Sequence, residues 1–160
     1  MKVKSMVISG IIAALYVTVS LLIAPLAFSS IQFRFSEIFN HLIVFNKKYF
    51  FGIVIGVFVA NLFSPLGVID LVYGVGMTGL ALAATIVSAK FIKGITERMF
   101  FNVVMFAIFS FLIAIELNIV YEVPFWIGWL TVAIGEVVVM TIGVPIMISL
   151  NKRLNFKELI

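Results

Sequence analysis

Long apolar runs separated by short polar breaks organise this chain from end to end. The runs cover roughly 5–23, 36–46, 48–63, 67–91, 98–117 and 124–150. Breaks fall at Pro25, at Asn46-Lys47-Lys48, at Ser64-Pro65-Leu66-Gly67, between Lys90 and Arg98, and between Asn118 and Pro124. Proline and glycine punctuate such breaks because one removes a donor and the other admits positive φ. A bilayer core about 30 Å thick is crossed by a helix of about 20 apolar residues. The pattern therefore predicts an all-α integral membrane protein, a bundle of six transmembrane helices in one domain spanning 1–160. The second run is the awkward one. Extended back to Ile31 it has about 16 residues, or about 24 Å at 1.5 Å per residue, so it is short or only partly spans. The predicted helices are thus roughly 5–23, 31–46, 48–63, 67–91, 98–117 and 124–150.

Composition supports a membrane class. The 160 residues are 64% hydrophobic and 11% charged, with a mean hydropathy of +1.28, whereas soluble domains carry about 25% charged residues. The opening stretch has the charged and apolar regions of a signal peptide. Its apolar part is long and lacks a small-residue cleavage site, so it reads as the first helix. Six spans leave no room for an ATPase or a soluble sensor.

Charge fixes an expected orientation. With the N-terminus in the cytoplasm, Lys2, Lys4, Lys47, Lys48, Lys90, Lys93, Arg98, Lys152, Arg153 and Lys157 fall inside. Of the eleven basic residues only Arg34 falls outside. Positive charge concentrates on the cytoplasmic side of membrane proteins, so both termini are expected there, in a bacterial-type plasma membrane. Glu37, Asp70, Glu116 and Glu122 fall at or near the outer helix ends, and Glu136 lies deeper in the last helix. That excess of carboxylates favours a cationic ligand arriving from outside.

Chemistry is otherwise sparse. There is no cysteine and one histidine, His41, which excludes disulfides and thiolate sites and argues against a histidine metal centre. The chain has no phosphate-binding loop, no H-E-x-x-H and no G-x-S-x-G. It reads as a non-enzyme with no cofactor and no nucleic-acid role. An ionisable side chain inside a membrane costs about 2.5–3.5 kcal/mol and faces an interior, a cavity or a partner. Glu136 is the sharpest case. Glu116 sits in AIELNIVYEVP. Arg34, Glu37 and His41 lie in IQFRFSEIFNHL at spacings of three and four, which share a helical face, with Ser36 a plausible N-cap. Asp70 falls in a first helical turn, where the dipole favours an anion. Tyr73 and Trp129 lie a turn deeper than the interfacial aromatics Tyr121 and Trp126 and offer faces on which a flat ligand could stack. Small residues recur every fourth position at Ser9-Ala13, Gly10-Ala14, Gly52-Gly56-Ala60 and Gly79-Ala83, a spacing that lets helix backbones approach closely. In the third and fourth helices this predicts packing within the bundle, while the face on the first helix could meet a partner.

Taken together, IQFRFSEIFNHL, ANLFSPLGVIDLVYG and IGEVVVMTIGVP resemble the queuosine-precursor (QueT-type) family, the substrate-binding S-components of energy-coupling-factor (ECF) vitamin importers. The resemblance covers nearly the whole chain. It implies a six-helix S-component that binds a 7-deazaguanine base such as preQ1. It also implies a transmembrane coupling subunit and two ATPases on other chains. The implied docking surface is the small face of the first helix, Ser9, Gly10, Ala13 and Ala14, where Ser9-x-x-x-Ala13 stands for the family's Ala-x-x-x-Ala. PreQ1 carries an aminomethyl cation and neighbouring N–H donors that one carboxylate accepts together. Glu136 or Glu37 would take the base edge, Glu116 or Asp70 the ammonium, and Arg34 the ring carbonyl. Alternative readings are an S-component for another cationic vitamin such as a thiamine-like compound, a proton-coupled small transporter using Glu136, and an assembly subunit without a ligand.

Overall fold

The computed structural model describes residues 3–23 and 33–160, and all regular structure in them is helical. The expected break at Pro25 and positions 31–32 of the second run lie outside the described residues. Helix α1 is Val3–Leu22. A 3-10 segment, Phe35–His41, runs directly into α2, Leu42–Phe45. The remainder is α3 (Tyr49–Asn61), α4 (Val68–Ser88), α5 (Ile95–Phe109), α6 (Phe111–Tyr121), α7 (Phe125–Leu154) and the short α8 (Phe156–Leu159).

Four helices are long and apolar enough to cross a membrane: α1, α4, the run Ile95–Tyr121 and α7. Phe35–Phe45 and Tyr49–Asn61 are apolar but shorter. At 1.5 Å per residue α3 is only about 20 Å long. Most of the apolar surface that faces outward, such as Val7, Ile11, Phe58, Val72, Val104 and Ile134, is exposed on these helices. That is the arrangement of a bundle whose solvent is lipid rather than water.

Helix α1 packs chiefly on α3, and small residues make that possible. A Cβ on Gly52 would stand 2.9 Å from the Ser9 carbonyl oxygen, and one on Gly56 would stand 2.8 Å from Tyr16 Cβ and 3.2 Å from Ala13 Cα. The third helix thus uses its small face inside the bundle, as its spacing predicts. The fourth does not. Nothing lies within 4 Å of a Cβ built on Gly79, and Ala83 is exposed. The same packing divides the expected docking face on α1. Ser9 and Ala13 are buried against α3, so only Gly10 and Ala14 point outward.

The fifth run is broken where a single helix is expected. Ser110 separates α5 from α6, and its hydroxyl donates to the Ala107 carbonyl at 2.7 Å. The Trp129 indole N–H donates to the same oxygen at 3.0 Å. Two side chains therefore satisfy a carbonyl at the break, as an apolar solvent requires.

The two chain ends meet. Lys4 Nζ donates to the Glu158 carbonyl at 3.1 Å, the Tyr49 hydroxyl to the Phe156 carbonyl at 2.9 Å, and Lys48 Nζ to Ile160 O at 3.3 Å. Arg98 donates to the Val44 carbonyl at 2.8 Å and the Thr85 carbonyl at 3.2 Å. Cations complement helix C-termini, so this arginine clasps the last turns of α2 and α4. The termini, the 46–48 turn and the start of α5 form one basic end of the bundle.

Candidate functional site

The site is built on the 3-10 segment, which lies inside the bundle against α1, α5 and α7. Its geometry decides which side chains share a face. In a 3-10 helix residues i and i+3 eclipse one another, so Arg34, Glu37 and Asn40 form one row. Ser36 and Phe39 form a second row directed at α1. Ser20 donates to the Ser36 hydroxyl at 2.7 Å, and the Tyr16 and Phe39 rings lie 6.5 Å apart. Ile38 and His41 form a third row against α7, where a Cβ on Gly143 would meet them at 3.1 and 3.2 Å. The α-helical grouping of His41 with Arg34 and Glu37 therefore gives way to one in which Asn40 takes its place. The imidazole pairs through Nε2 with the Met140 carbonyl at 2.8 Å.

Five charged residues converge around this row. Arg34, Glu37, Asp70, Glu116 and Glu136 are all buried. Arg34 Nη2 lies 3.5 Å from Asp70 Oδ1, and Glu37 and Glu136 are within coulombic reach of the same guanidinium. Glu116 lies within coulombic range of Asp70 and Arg34, and Glu136 within that of Glu37. Four carboxylates thus surround one cation. The 3-10 segment, α4, α6 and α7 each contribute to one buried charged cluster.

Their hydrogen bonding separates them into two kinds. Glu37 is occupied: one oxygen accepts from the Tyr16 hydroxyl at 2.9 Å, and the other accepts from the Asn40 amide. Glu116 and Glu136 are 0% and 2% exposed, yet among the described residues none of their oxygens has a hydrogen-bond partner. Asp70 Oδ2, Asn40 Oδ1 and the Thr78 hydroxyl are likewise unpartnered. Asp70 is anchored through its backbone, whose carbonyl accepts from Asn61 Nδ2 at 3.0 Å, tying the end of α3 to the start of α4. Buried polar atoms are nearly always paired. A cluster of unpaired carboxylate oxygens beside an arginine is chemically ready for a molecule that brings several donors or a positive charge.

The aromatic expectations divide. Tyr73 is half-buried and packs on the apolar core. Trp129 makes no hydrogen bond to the charged cluster among the described residues. Its ring joins Phe125 and Trp126 at centroid distances of 5.9 and 5.8 Å, lining an apolar groove between α5 and α7. Its N–H is spent on the helix break, which explains its depth without a ligand. Sequence reasoning missed Tyr16, Asn40 and Thr78. A usable signal for the first was the inward spacing of Ser5, Ser9, Tyr16 and Ser20, since polar positions recurring at helical period in an apolar run mark a protein-facing stripe.

Comparison with known proteins identifies the family. The family model described as QueT transporter matches residues 6–152. The queuosine precursor transporter QueT of Lactococcus lactis subsp. cremoris (strain MG1363) is 35% identical over 165 aligned residues, covering 98% of each chain. No solved structure matches. A family match over nearly the full length, joined to a relative at this identity, settles the assignment: the chain belongs to the QueT transporter family.

Proposed function

We propose that this chain captures a queuosine precursor, a preQ1-like 7-deazaguanine, from outside the cell as the membrane-embedded subunit of an ATP-driven ECF-type importer. The observation that carries the proposal is the pair of buried, unpartnered carboxylates of Glu116 and Glu136 beside the Arg34–Asp70 pair. One carboxylate accepts the neighbouring N–H groups of the base edge, and a second pairs with the aminomethyl ammonium. Arg34 donates to the ring carbonyl, and Tyr73 offers an aromatic face. Glu37, already held by Tyr16 and Asn40, orients the row and contributes field rather than a direct contact. A relative named as a queuosine precursor transporter supports the substrate class.

In this reading the bundle crosses a bacterial-type plasma membrane six times, the two shorter apolar helices included. The basic end, with both termini, faces the cytoplasm, in keeping with the positive-inside rule. Gly10 and Ala14 present the outward small face of α1 to a transmembrane coupling subunit, and two ATPases on other chains supply the energy. Reconstitution of the chain alone in liposomes tests the division of labour. Saturable preQ1 binding without accumulation, whether ATP or a pH gradient is supplied, is the expected result. Accumulation driven by a pH gradient would instead favour a proton-coupled transporter.

A further inference from the structure

A polar cavity lies at the basic end and shares no lining residue with the carboxylate cluster. Its volume is about 370 Å³, and Lys47, Arg98 and Lys157 line it above an apolar floor that includes Ile43, Ile86 and Ala89. These three cations come from three separate elements: the turn after α2, the first turn of α5, and α8. Among the described residues no carboxylate side chain lines the cavity. Arg98 spends one N–H on each of two carbonyls, which leaves three of the five donors of a guanidinium, and its buried Nε–H has no partner among the described residues. Lys47 and Lys157 are exposed and free to turn toward a common anion.

We propose that this cavity is a binding site for a phosphate group, and that the group is the headgroup of an anionic phospholipid. An arginine fork flanked by two ammonium groups suits a phosphate diester. The cations and the apolar lining lie together at the basic end, which the proposed topology puts at the cytoplasmic membrane face. Basic pockets between transmembrane helices bind anionic headgroups for this reason. The site does not depend on the transport reading, because it shares no residue with the carboxylate cluster.

The test uses the full chain in nanodiscs of mixed phosphatidylglycerol and phosphatidylcholine, with retained lipid counted by native mass spectrometry. The wild-type chain should retain phosphatidylglycerol selectively, and K47Q/K157Q should lose about thirtyfold in its affinity, from about 1 kcal/mol per basic residue near the surface and 1.4 kcal/mol per tenfold. K93Q/K152Q removes the same charge at the same end but outside the cavity, and should retain lipid like wild type. A parallel arm adds glycerol 1-phosphate. If this soluble ester displaces the lipid at comparable concentration, phosphate chemistry stands and the source is a free solute. Equal retention by wild type and K47Q/K157Q, or equal loss in the two double variants, overturns the site. Arg98 is left intact because its bonds to two helix ends make its variants ambiguous in folding.

Discussion

Glu136→Gln separates ligand chemistry from architecture more cleanly than any other substitution. The amide matches the carboxylate in shape. Neither Glu136 oxygen has a described partner, so the change breaks no hydrogen bond within the described structure. It also removes an ionisable group whose charged form would repel Glu37. Losing a buried hydrogen bond normally costs about 1–3 kcal/mol through the group left unsatisfied, and that cost is absent here. The melting temperature of the ligand-free protein should therefore hold or rise. Binding behaves oppositely. A ligand donor or cation seated against an amide instead of a carboxylate resembles a buried ion pair with one member removed, at about 3–5 kcal/mol. At 1.4 kcal/mol per tenfold, preQ1 affinity should fall at least about a hundredfold. Calorimetric titration of purified wild type and variant, with thermal unfolding measured on the same samples, checks both halves. Near-normal affinity would return Glu136 to a structural role. A large drop in melting temperature would show that it has protein partners and would refute the reasoning at its root.

Glu37→Gln should show the converse, because its two acceptor oxygens serve Tyr16 and Asn40; the amide strands one donor, and unfolding measurements should register about 1–3 kcal/mol of lost stability. Trp129→Phe removes the N–H bonded at the Ser110 break and should cost about 1 kcal/mol while preQ1 affinity by calorimetry stays at the wild-type value; a large affinity loss would put the indole back in the site. Ala14→Trp should prevent co-purification with the coupling subunit yet leave preQ1 binding intact, whereas Ala13→Trp, forced against α3, should fail to yield folded protein; reversal of that order would contradict the packing of α1. A cysteine placed at Asn118 should react with an impermeant maleimide on intact cells and one at Asn155 should not, so outside labelling of Asn155 would invert the proposed topology.

The helices were legible where one physical effect dominates. An apolar run bounded by Pro, Gly or Lys becomes a helix in lipid, so α3, α4 and α7 lie close to the expected 48–63, 67–91 and 124–150. The second run was not legible in detail. Its 3-10 winding is fixed by tertiary polar contacts, including Tyr16 to Glu37 and Ser20 to Ser36, and changing the repeat from 3.6 to 3 moves Asn40 into the row that His41 was expected to share. The charged cluster was legible as a list, because each member is expensive in a membrane, but not as a constellation, because Arg34, Asp70, Glu116 and Glu136 come from distant segments. Small-residue stripes failed for another reason. They state that something can approach closely, not what does: Ser9 and Ala13 meet α3, while a Cβ built on Gly79 would meet nothing within 4 Å.

The burial of the 3-10 segment bears on how the protein is made. Arg34 and Glu37, together with Ser36, Asn40 and His41, have no lipid-compatible face of their own. Each charged residue costs about 2.5–3.5 kcal/mol at a helix centre during insertion, more than a stretch this short recovers from its apolar neighbours. Part of the enclosing wall is α7, among the last helices the ribosome delivers. A nascent chain that has emerged only through α6 therefore carries a stretch that the bilayer rejects, shielded on one side by α1 and open on the other. Completion of α7 is the step that closes this flank, so chains truncated before α7 should leave the segment Phe35–His41 open on that side.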